Sequence, residues 1–332
     1  MNTKELLAKL CEPFGGSGSE KGINDVICGI LEGYKTATDA MGNLGVEIVP
    51  KRADRPVVML TAHTDEISFI VNEVRGDGTL SLGTVGGIDR RTLHGAKIAV
   101  HTKDGEITGV ITSGENETSP KDNITAEIGY KKDDSPVRQG DRAGFIAPVF
   151  ELSNDVLCGH ALDDRIGCAV IIKAAQNLAK NLNIGVYLLF AVQEEIGCRG
   201  SGAGTHNIMP DIAIAIDGSF GENPIADSSK TGKSGEGPMI GVSPILSQKH
   251  TDGLIIEAKT RKIPYQLEIM GGGTGTDSDR ITFTDGGVET ALVSVPMRNM
   301  HTAVETVLVS DIDKSAKLIA AYINTLGGAA NV

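Results

Sequence analysis

The spacing of apolar residues predicts helices near both ends of the chain. Leu6, Leu7 and Leu10 share one helical face, and a second apolar stripe covers residues 23–31. A further helix is predicted over residues 164–181, where apolar residues recur with a period near 3.6. The last predicted helix begins at Ser310, a favourable N-cap residue, and continues to residue 326.

Short apolar runs between these helices predict strands. Such runs are typical of strands that are covered on both faces of a sheet. The predicted strands are residues 46–49, 57–60, 184–192, 211–216, 254–258, 266–270 and 290–295. Because strands alternate with helices, we predict an α/β fold with a central mixed sheet flanked by helices.

A different pattern interrupts this alternation and predicts an inserted domain. From about residue 67 to residue 152, short β-rich runs alternate with turn signals such as residues 76–78 (Gly-Asp-Gly), and no long helix is predicted. We therefore predict a discontinuous α/β domain of residues 1–66 and 156–332, interrupted by a small β-barrel-like domain of residues 67–155.

Composition and charge exclude several classes of protein. The 332 residues are 40% hydrophobic and 22% charged, as in an ordinary globular protein. A net charge of −12 argues against nucleic acid or an anionic membrane surface as a partner. No apolar run reaches the roughly 18 residues of a membrane helix. Five cysteines without a C-x-x-C pair, and a start without a signal-peptide core, lead us to expect a cytoplasmic protein.

Histidines and carboxylates cluster where predicted strands end or helices begin. These residues are His63, Asp65, His160, Asp163, Asp164, Glu194, Glu195, Asp217 and His301. Because sites in α/β sheets form outside the carboxyl ends of strands, we expect most of them to meet in one crevice. Carboxylates there would repel one another unless cations neutralise them. Mixed histidine and carboxylate ligands suit zinc, cobalt or manganese better than calcium.

These motifs, in this order, resemble those of the tetrahedral dinuclear metallo-aminopeptidases, which include glutamyl aminopeptidases and proteins labelled cellulase M or endoglucanase M. The resemblance covers nearly the whole chain and is carried by residues 62–65, 161–167, 192–197, 216–217 and 300–301. It implies a metallopeptidase fold of the phosphorylase/hydrolase-like type, with an inserted β domain used in assembly. It also implies a homo-oligomer, a tetrahedral dodecamer whose active sites face an inner chamber.

The resemblance also implies a role for each residue of the site. Two divalent ions per subunit, zinc or cobalt with manganese as an alternative, are expected to share one set of ligands: His63, Asp163, Glu195, Asp217 and His301. Asp163 is expected to bridge the ions, Glu194 to act as general base and Asp65 to orient His63. The expected reaction removes N-terminal residues from short peptides by hydroxide attack on the first peptide bond.

Three local features qualify this picture. Adjacent strand residues point apart, so the chain is expected to turn after residue 192, which lets Glu195 bind metal while Glu194 leans over the water. His160 stands where the family is expected to have Lys or Arg, and residues 271–279 are unusually rich in glycine. Both departures are expected to affect the substrate pocket rather than the chemistry.

Three other functions stay open at this point. A glycoside hydrolase would need two carboxyl groups roughly 5 to 10 Å apart, but it would leave the histidines without a role, and the chain has no Trp. A di-metal deacylase or amidase acting on small N-acyl compounds would use the same ligands. A structural shell protein that keeps the ligands as staples would have no need of Glu194.

Overall fold

Most of the chain forms one large mixed sheet with helices packed against it. The computed structural model describes residues 1–112, 124–223 and 231–329. Its α-helices are α1 (Thr3–Leu10), α2 (Lys21–Ile30), α3 (Leu162–Gln176), α4 (Arg199–Ile208), α5 (Gln248–Arg261), α6 (Ser278–Ile281) and α7 (Val309–Leu326). Its strands are β1 (Lys35–Thr38), β2 (Leu44–Val49), β3 (Val57–His63), β4 (Ser68–Val74), β5 (Leu80–Val85), β6 (Lys97–Thr102), β7 (Gly105–Ile111), β8 (Ile124–Glu127), β9 (Arg142–Phe145), β10 (Phe150–Glu151), β11 (Val156–Gly159), β12 (Gly185–Ala191), β13 (Ile212–Phe220), β14 (Met239–Val242), β15 (Gln266–Ile269), β16 (Glu289–Arg298) and β17 (Glu305–Leu308).

Parallel strands at the centre of the large sheet bring the candidate residues to one edge. The strand order is β1-β2-β12-β3-β13-β16-β17-β11-β10, with β14 beside β16 and β15 beside β14. β12, β3, β13 and β16 are parallel neighbours, so their carboxyl ends lie at the same edge. All residues of β3 are buried, as expected for a parallel strand covered on both faces. The predicted mixed α/β sheet is confirmed.

The helix α3 lies in the middle of the main hydrophobic core. It is buried nearly all round because α1 and α7 pack against it on the side away from the sheet. Ile166 and Val170 of α3 belong to the same apolar cluster as Leu60 of β3 and Ile312 of α7. This packing fixes the first turn of α3, which carries Asp163, relative to the end of β3. Among the helices of residues 1–112, 124–223 and 231–329, none is long and apolar enough to cross a membrane.

Along the chain, a closed barrel separates β1–β3 of the large sheet from its later strands. It consists of β4, β5, β8, β7, β6 and β9 in that order, with β9 pairing back to β4. Phe69, Leu82 and Val100 belong to its own apolar core. No α-helix occurs in the described part of this stretch, in agreement with the pattern of turns. β10 pairs with β11 of the large sheet, and the domain boundaries at 66/67 and 155/156 stay a prediction.

The prediction of a strand at residues 254–258 is wrong. These residues lie inside α5, where Leu254 and Ala258, four positions apart, are buried and Ile256 is 63% exposed. This is the alternation of a helix with one buried face. A short apolar run does not by itself distinguish a strand from a helix, and the run at 254–258 was too short to show the longer period.

Helix ends also differ from the predictions, and two helices, α4 and the short α6, were not predicted. The helix predicted to reach residue 181 ends at Gln176, and α7 begins at Val309 with Leu308 as its N-cap, so Ser310 lies within the first turn. α4 was not predicted because its sequence, rich in glycine and small polar residues, shows no apolar stripe. Its place is set by packing against β12 and α6 rather than by local pattern.

Candidate metal centre

The predicted site residues come from three neighbouring strands, one helix and one loop. His63 is the last residue of β3, Glu194 and Glu195 follow β12, and Asp217 lies within β13 rather than after it. Asp163 lies in the first turn of α3, and His301 lies in the loop between β16 and β17. The sheet order therefore brings together residues from five separate parts of the chain, as expected for the carboxyl edge of parallel strands.

The carboxylate of Asp163 lies between the two histidines. Its Oδ1 is 3.4 Å from Nε2 of His63, and its Oδ2 is 3.3 Å from Nε2 of His301. On the His63 side, Oδ1 of Asp217 lies 3.8 Å from Nε2. On the His301 side, Oε2 of Glu195 lies 3.6 Å from Nε2. Each histidine thus faces one oxygen of Asp163 and at least one further carboxylate.

Asp164 also lies close to the His63 side of the centre. His63, Asp164 and Asp217 each place a ligand atom within 4.8 Å of the others, and so do Asp163, Glu195 and His301. Both oxygens of Asp164, however, accept backbone hydrogen bonds, from the N–H of His63 at 3.3 Å and of Gly167 at 3.0 Å. Asp164 therefore ties the start of α3 to the end of β3, which leaves Asp163 as the carboxylate with its oxygens directed to both histidines.

The ring of His63 is oriented from its Nδ1 side. Nδ1 lies 3.0 Å from the backbone oxygen of Asp65 and 3.4 Å from Oδ1 of the same residue. An acceptor at Nδ1 favours the tautomer whose Nε2 carries a lone pair, which is the form that binds metal. The closer of the two acceptors is the carbonyl group rather than the carboxylate.

The chain turns immediately after β12 and separates the two neighbouring glutamates. Gln193 has a φ of +58°, in the left-handed region. The N–H groups of Glu194 and Glu195 then both point to the carboxylate of Asp65, at 2.8 and 3.1 Å. The side chains diverge, since Oε2 of Glu195 is near His301 and Oε1 of Glu194 accepts a hydrogen bond from Sγ of Cys198 at 3.1 Å.

Burial and mutual repulsion shift the titration of the acidic residues. Burial, followed by the charge on Asp163, raises the pKa of Glu195 to about 8. Burial and the charge on Asp164 raise the pKa of Asp217 well above its usual value. Burial alone would lower the pKa of His63, but the carboxylates around it raise that pKa well above 6.5. So many acids in one buried place require positive charge for all of them to be ionised near neutral pH.

Glu305, which lies behind the centre, was not among the predicted residues. Its side chain is 1% exposed, and its two oxygens accept hydrogen bonds from the backbone N–H of Asp163 at 3.1 Å and of His301 at 2.9 Å. Glu305 thereby joins residues from both sides of the centre. The only available signal was an acidic residue at an inward position of β17, which is weak because no histidine or second acid stands beside it.

A loop of the barrel also reaches the centre and was not predicted to do so. A Cβ atom placed on Gly86 would lie 3.0 Å from Oε2 of Glu195, and one on Gly87 would lie 3.2 Å from Nδ1 of His301. The backbone N–H of Asp89 donates to the carbonyl oxygen of His301 at 3.1 Å. The inserted barrel therefore forms part of the wall of the centre.

The two departures from the expected family pattern lie outside both ligand groups. His160 is buried, with Nε2 3.6 Å from Oε1 of Glu66 and its ring edge-to-face with Phe145 of the barrel. In the glycine-rich loop, the N–H groups of Thr274 and Gly275 donate to the carboxylate of Asp279 at 2.6 and 3.0 Å. The loop is thus closed on its own side chain. Its effect on the substrate pocket, like that of His160, stays a prediction.

Known proteins are similar to this chain in both sequence and fold. A family model described as M42 glutamyl aminopeptidase matches residues 42–318. The lysyl aminopeptidase of Pyrococcus furiosus is 32% identical over 339 residues, which cover 97% of each protein. A solved aminopeptidase from the archaeon Desulfurococcus kamchatkensis matches with a TM-score of 0.89 and 30% identity, over 96% of this chain and 93% of that one. The TET1 peptidase of Pyrococcus horikoshii, described as able to assemble into a tetrahedron or a large octahedral shell, matches with a TM-score of 0.83 and 32% identity, over 96% of this chain and 98% of that one.

These similarities, together with the fold, define the class as the peptide hydrolases that act as aminopeptidases. Because the family model covers most of the chain, the chain belongs to the M42 glutamyl aminopeptidase family. The resemblance inferred from the motifs is confirmed, and so is the prediction of an aminopeptidase. Membership of this family favours peptide hydrolysis over glycoside hydrolysis.

Proposed function

We propose that the chain is a dinuclear metal-dependent aminopeptidase that removes N-terminal residues from short peptides. One observation carries the proposal: the carboxylate of Asp163 directs one oxygen toward His63 and the other toward His301. A carboxylate in this position is suited to bridge two cations that take their other ligands from opposite sides.

Divalent ions fit the residues of the centre because they satisfy buried groups that otherwise have no partner. Oδ1 of Asp163 is buried and has no hydrogen-bond partner among the described residues. His63 and Asp217 would hold one ion, Glu195 and His301 would hold the other, and Asp163 would contribute an oxygen to each. Zinc, cobalt and manganese all accept such a mixture of imidazole and carboxylate ligands.

Glu194 is the proposed general base. Bound divalent ions supply polarisation of the peptide carbonyl and lower the pKa of water. The side chain of Glu194 is 12% exposed, its Oε2 lies 4.0 Å from Nε2 of His63, and burial raises its pKa. Glu194 takes a proton from the attacking water as the new C–O bond forms, and returns it to the leaving nitrogen as the C–N bond breaks.

We also propose that the chain works as a homo-oligomer. The TET1 peptidase that it resembles is described as forming a tetrahedron or a larger shell. The proposed division is a catalytic domain of residues 1–66 and 156–332 and an assembly domain of residues 67–155. Light scattering is expected to give the mass of twelve chains, and a monomer at assay concentrations would contradict the assembly. A cytoplasmic location stays a prediction.

Metal removal and refilling test the proposed reaction. The protein is stripped with a chelator, its metal content is measured by mass spectrometry, and it is refilled with zinc, cobalt or manganese. Aminoacyl anilides and N-acyl amino acids serve as the two classes of substrate. We expect the stripped protein to lose anilide hydrolysis and the refilled protein to regain it. Activity that survives complete removal would contradict metal dependence, and hydrolysis of N-acyl amino acids alone would identify a deacylase.

A further inference from the structure

Two carboxylates that are not among the proposed ligands hold the turn that carries the general base. The backbone N–H groups of Gln193, Glu194 and Glu195 are three successive donors. The first donates to Oε1 of Glu20 at 3.2 Å, and the other two donate to Oδ1 and Oδ2 of Asp65 at 2.8 and 3.1 Å. All three donors of the turn thus end on carboxylates that lie far from the turn along the chain.

The loop between α1 and α2 reaches both of these carboxylates. Oγ of Ser17 donates to Oδ2 of Asp65 at 2.6 Å, and Oε1 of Glu20 also accepts from the N–H of Gly18 at 2.8 Å. Ser17 is 3% exposed and Glu20 is 5% exposed. A loop near the start of the chain therefore supplies one acceptor, Glu20, to the turn directly. It supports the other acceptor, Asp65, through the hydroxyl group of Ser17.

The turn needs this support for a physical reason. Gln193 lies at a φ of +58°, which costs energy for a residue with a side chain. The turn also lies beyond the end of β12, and its N–H groups donate to side-chain carboxylates rather than to a strand. Half-buried N–H groups must find acceptors, and here each acceptor also fixes the direction of the backbone. Without Glu20, the turn would lose one acceptor. Without Ser17, the other acceptor, Asp65, would lose the hydroxyl group that donates to it.

We propose that Ser17 and Glu20 are positioning residues that hold the turn at 193–195, and with it the carboxyl group of Glu194. The inference rests on the proposed role of Glu194 as general base. Neither Ser17 nor Glu20 touches the reacting atoms. Their effect is to keep Glu194 at a fixed distance from the centre, so their loss lowers the rate of the chemical step more than it weakens substrate binding.

Paired substitutions at Glu20 separate positioning from general stability. Glu20→Ala removes the acceptor, whereas Glu20→Gln keeps an amide oxygen that accepts from the N–H groups of Gln193 and Gly18. We expect Glu20→Ala to lower kcat about 10- to 100-fold with KM changed less than about twofold, and Glu20→Gln to restore most of kcat. Glu257→Ala is the matched control, because Glu257 is 6% exposed and pairs with Arg261 at 2.9 Å.

Ser17→Ala gives a second, milder test. It removes only the hydroxyl that supports Asp65, so a decrease in kcat of a few-fold is expected without loss of bound metal. Ser315→Ala is its control, since Ser315 is buried in α7 and donates to the carbonyl oxygen of Asp311 at 2.7 Å. If Glu20→Ala does not fold, the comparison of Ser17→Ala with Ser315→Ala decides the matter.

Hydrogen exchange supplies a readout that does not depend on turnover. In the metal-free protein, the amides of residues 193–195 are expected to exchange faster in Glu20→Ala and Ser17→Ala than in the unmodified chain. Their exchange rates are expected to stay unchanged in the two controls, Glu257→Ala and Ser315→Ala. Unchanged exchange, or equal loss of kcat in Glu20→Ala and Glu20→Gln, would overturn the inference. If Glu20→Ala keeps full kcat while Glu194→Gln is inactive, only the positioning role is overturned. If Glu194→Gln is fully active, the general-base role on which the inference rests is overturned.

Discussion

Gly86 of the barrel faces Glu195 so closely that an added Cβ atom would lie 3.0 Å from Oε2. The same Cβ atom would lie 2.9 Å from Cγ2 of Ile67, so it has no room to move away. The barrel was predicted as an assembly domain, and its loop at residues 86–89 in addition borders the candidate metal centre. The barrel and the large sheet are therefore in contact at the candidate site itself.

This contact predicts that Gly86→Ala impairs the centre beyond its effect on the backbone. Gly86 has a φ of +84°, where alanine costs roughly 1–2 kcal/mol. Gly95 has a φ of +83° and nothing within 4 Å of its added Cβ atom, so Gly95→Ala has the same backbone cost without the contact. We expect the larger loss of stability in Gly86→Ala, because its added Cβ atom also meets Ile67, and lower metal affinity and activity only in that variant. Equal activity would show that Glu195 adjusts without cost.

Glu194→Gln is expected to retain both metals and to lose about 10²- to 10⁴-fold in kcat, because the amide cannot accept the proton of the attacking water. Metal content by mass spectrometry and kcat on an aminoacyl anilide are the measurements. Glu32→Gln, at an exposed position, is the control. If Glu194→Gln kept the kcat of the control, another group would have to act as base.

Asp277 predicts a pH dependence of stability in the metal-free chain. It is 3% exposed, and burial, followed by the charge on Glu194, raises its pKa to about 7. In the unfolded chain the pKa is about 3.9. Between these values the folded chain binds more protons, so the free energy of unfolding falls as the pH rises toward 7.

Asp277→Asn removes this titration. Each unit of difference in pKa corresponds to about 1.4 kcal/mol, so the variant is expected to lose measurably less stability than the unmodified chain between pH 5 and pH 8. Urea unfolding of metal-free protein at the two pH values measures the difference. Asp54→Asn, at an exposed position, is expected to behave like the unmodified chain. The same pH dependence in all three proteins would contradict the assignment.

Arg165 predicts a large loss of stability upon truncation. It is fully buried, and it donates from Nη2 to Oε2 of Glu66 at 2.8 Å and from Nε to the carbonyl oxygen of Thr64 at 3.1 Å. Arg165→Ala leaves Glu66 as a buried charge without this partner, at a cost of about 3–5 kcal/mol. Lys21 and Asp25 form an exposed pair one turn apart in α2, with Nζ 2.5 Å from Oδ2, and Lys21→Ala is expected to cost about 1 kcal/mol or less. Denaturant unfolding that gives similar values for both would contradict this account.

The parts of the fold that could be predicted are those with a local signal. β3 begins with the continuous apolar run of residues 57–60 and is buried throughout, and α2 and α7 carry clear apolar stripes, so their existence follows from local pattern. The strand predicted at 254–258 failed because five residues are too few to distinguish the two periods. α4 was missed because its packing, not its composition, makes it a helix.

The candidate site, like the fold, has one part that could be predicted from the sequence and one part that could not. The residue types at strand ends, and the resemblance of their motifs to a known family, were sufficient to name His63, Asp163 and His301 as candidates before any geometry was known. The separate tasks of Asp163 and Asp164 were not visible, because neighbouring aspartates look equivalent until one is seen to accept N–H groups of β3 and α3. Glu305 was missed because its partners, Asp163 and His301, are contacts made in space.

The amino-acid sequence alone thus determined the class of fold, most of the elements and the chemical types gathered at the site, since these depend on local periodicity and on the identity of side chains. Only the tertiary structure decided which carboxylate oxygen faces which histidine and which acids support the centre rather than face it. It also decided that a loop of the barrel packs against the centre. Such contacts join positions that are far apart along the chain, as with Asp65 and Glu194 at a separation of 129. Their geometry depends on the order and packing of the strands, and it leaves no periodic trace in the sequence.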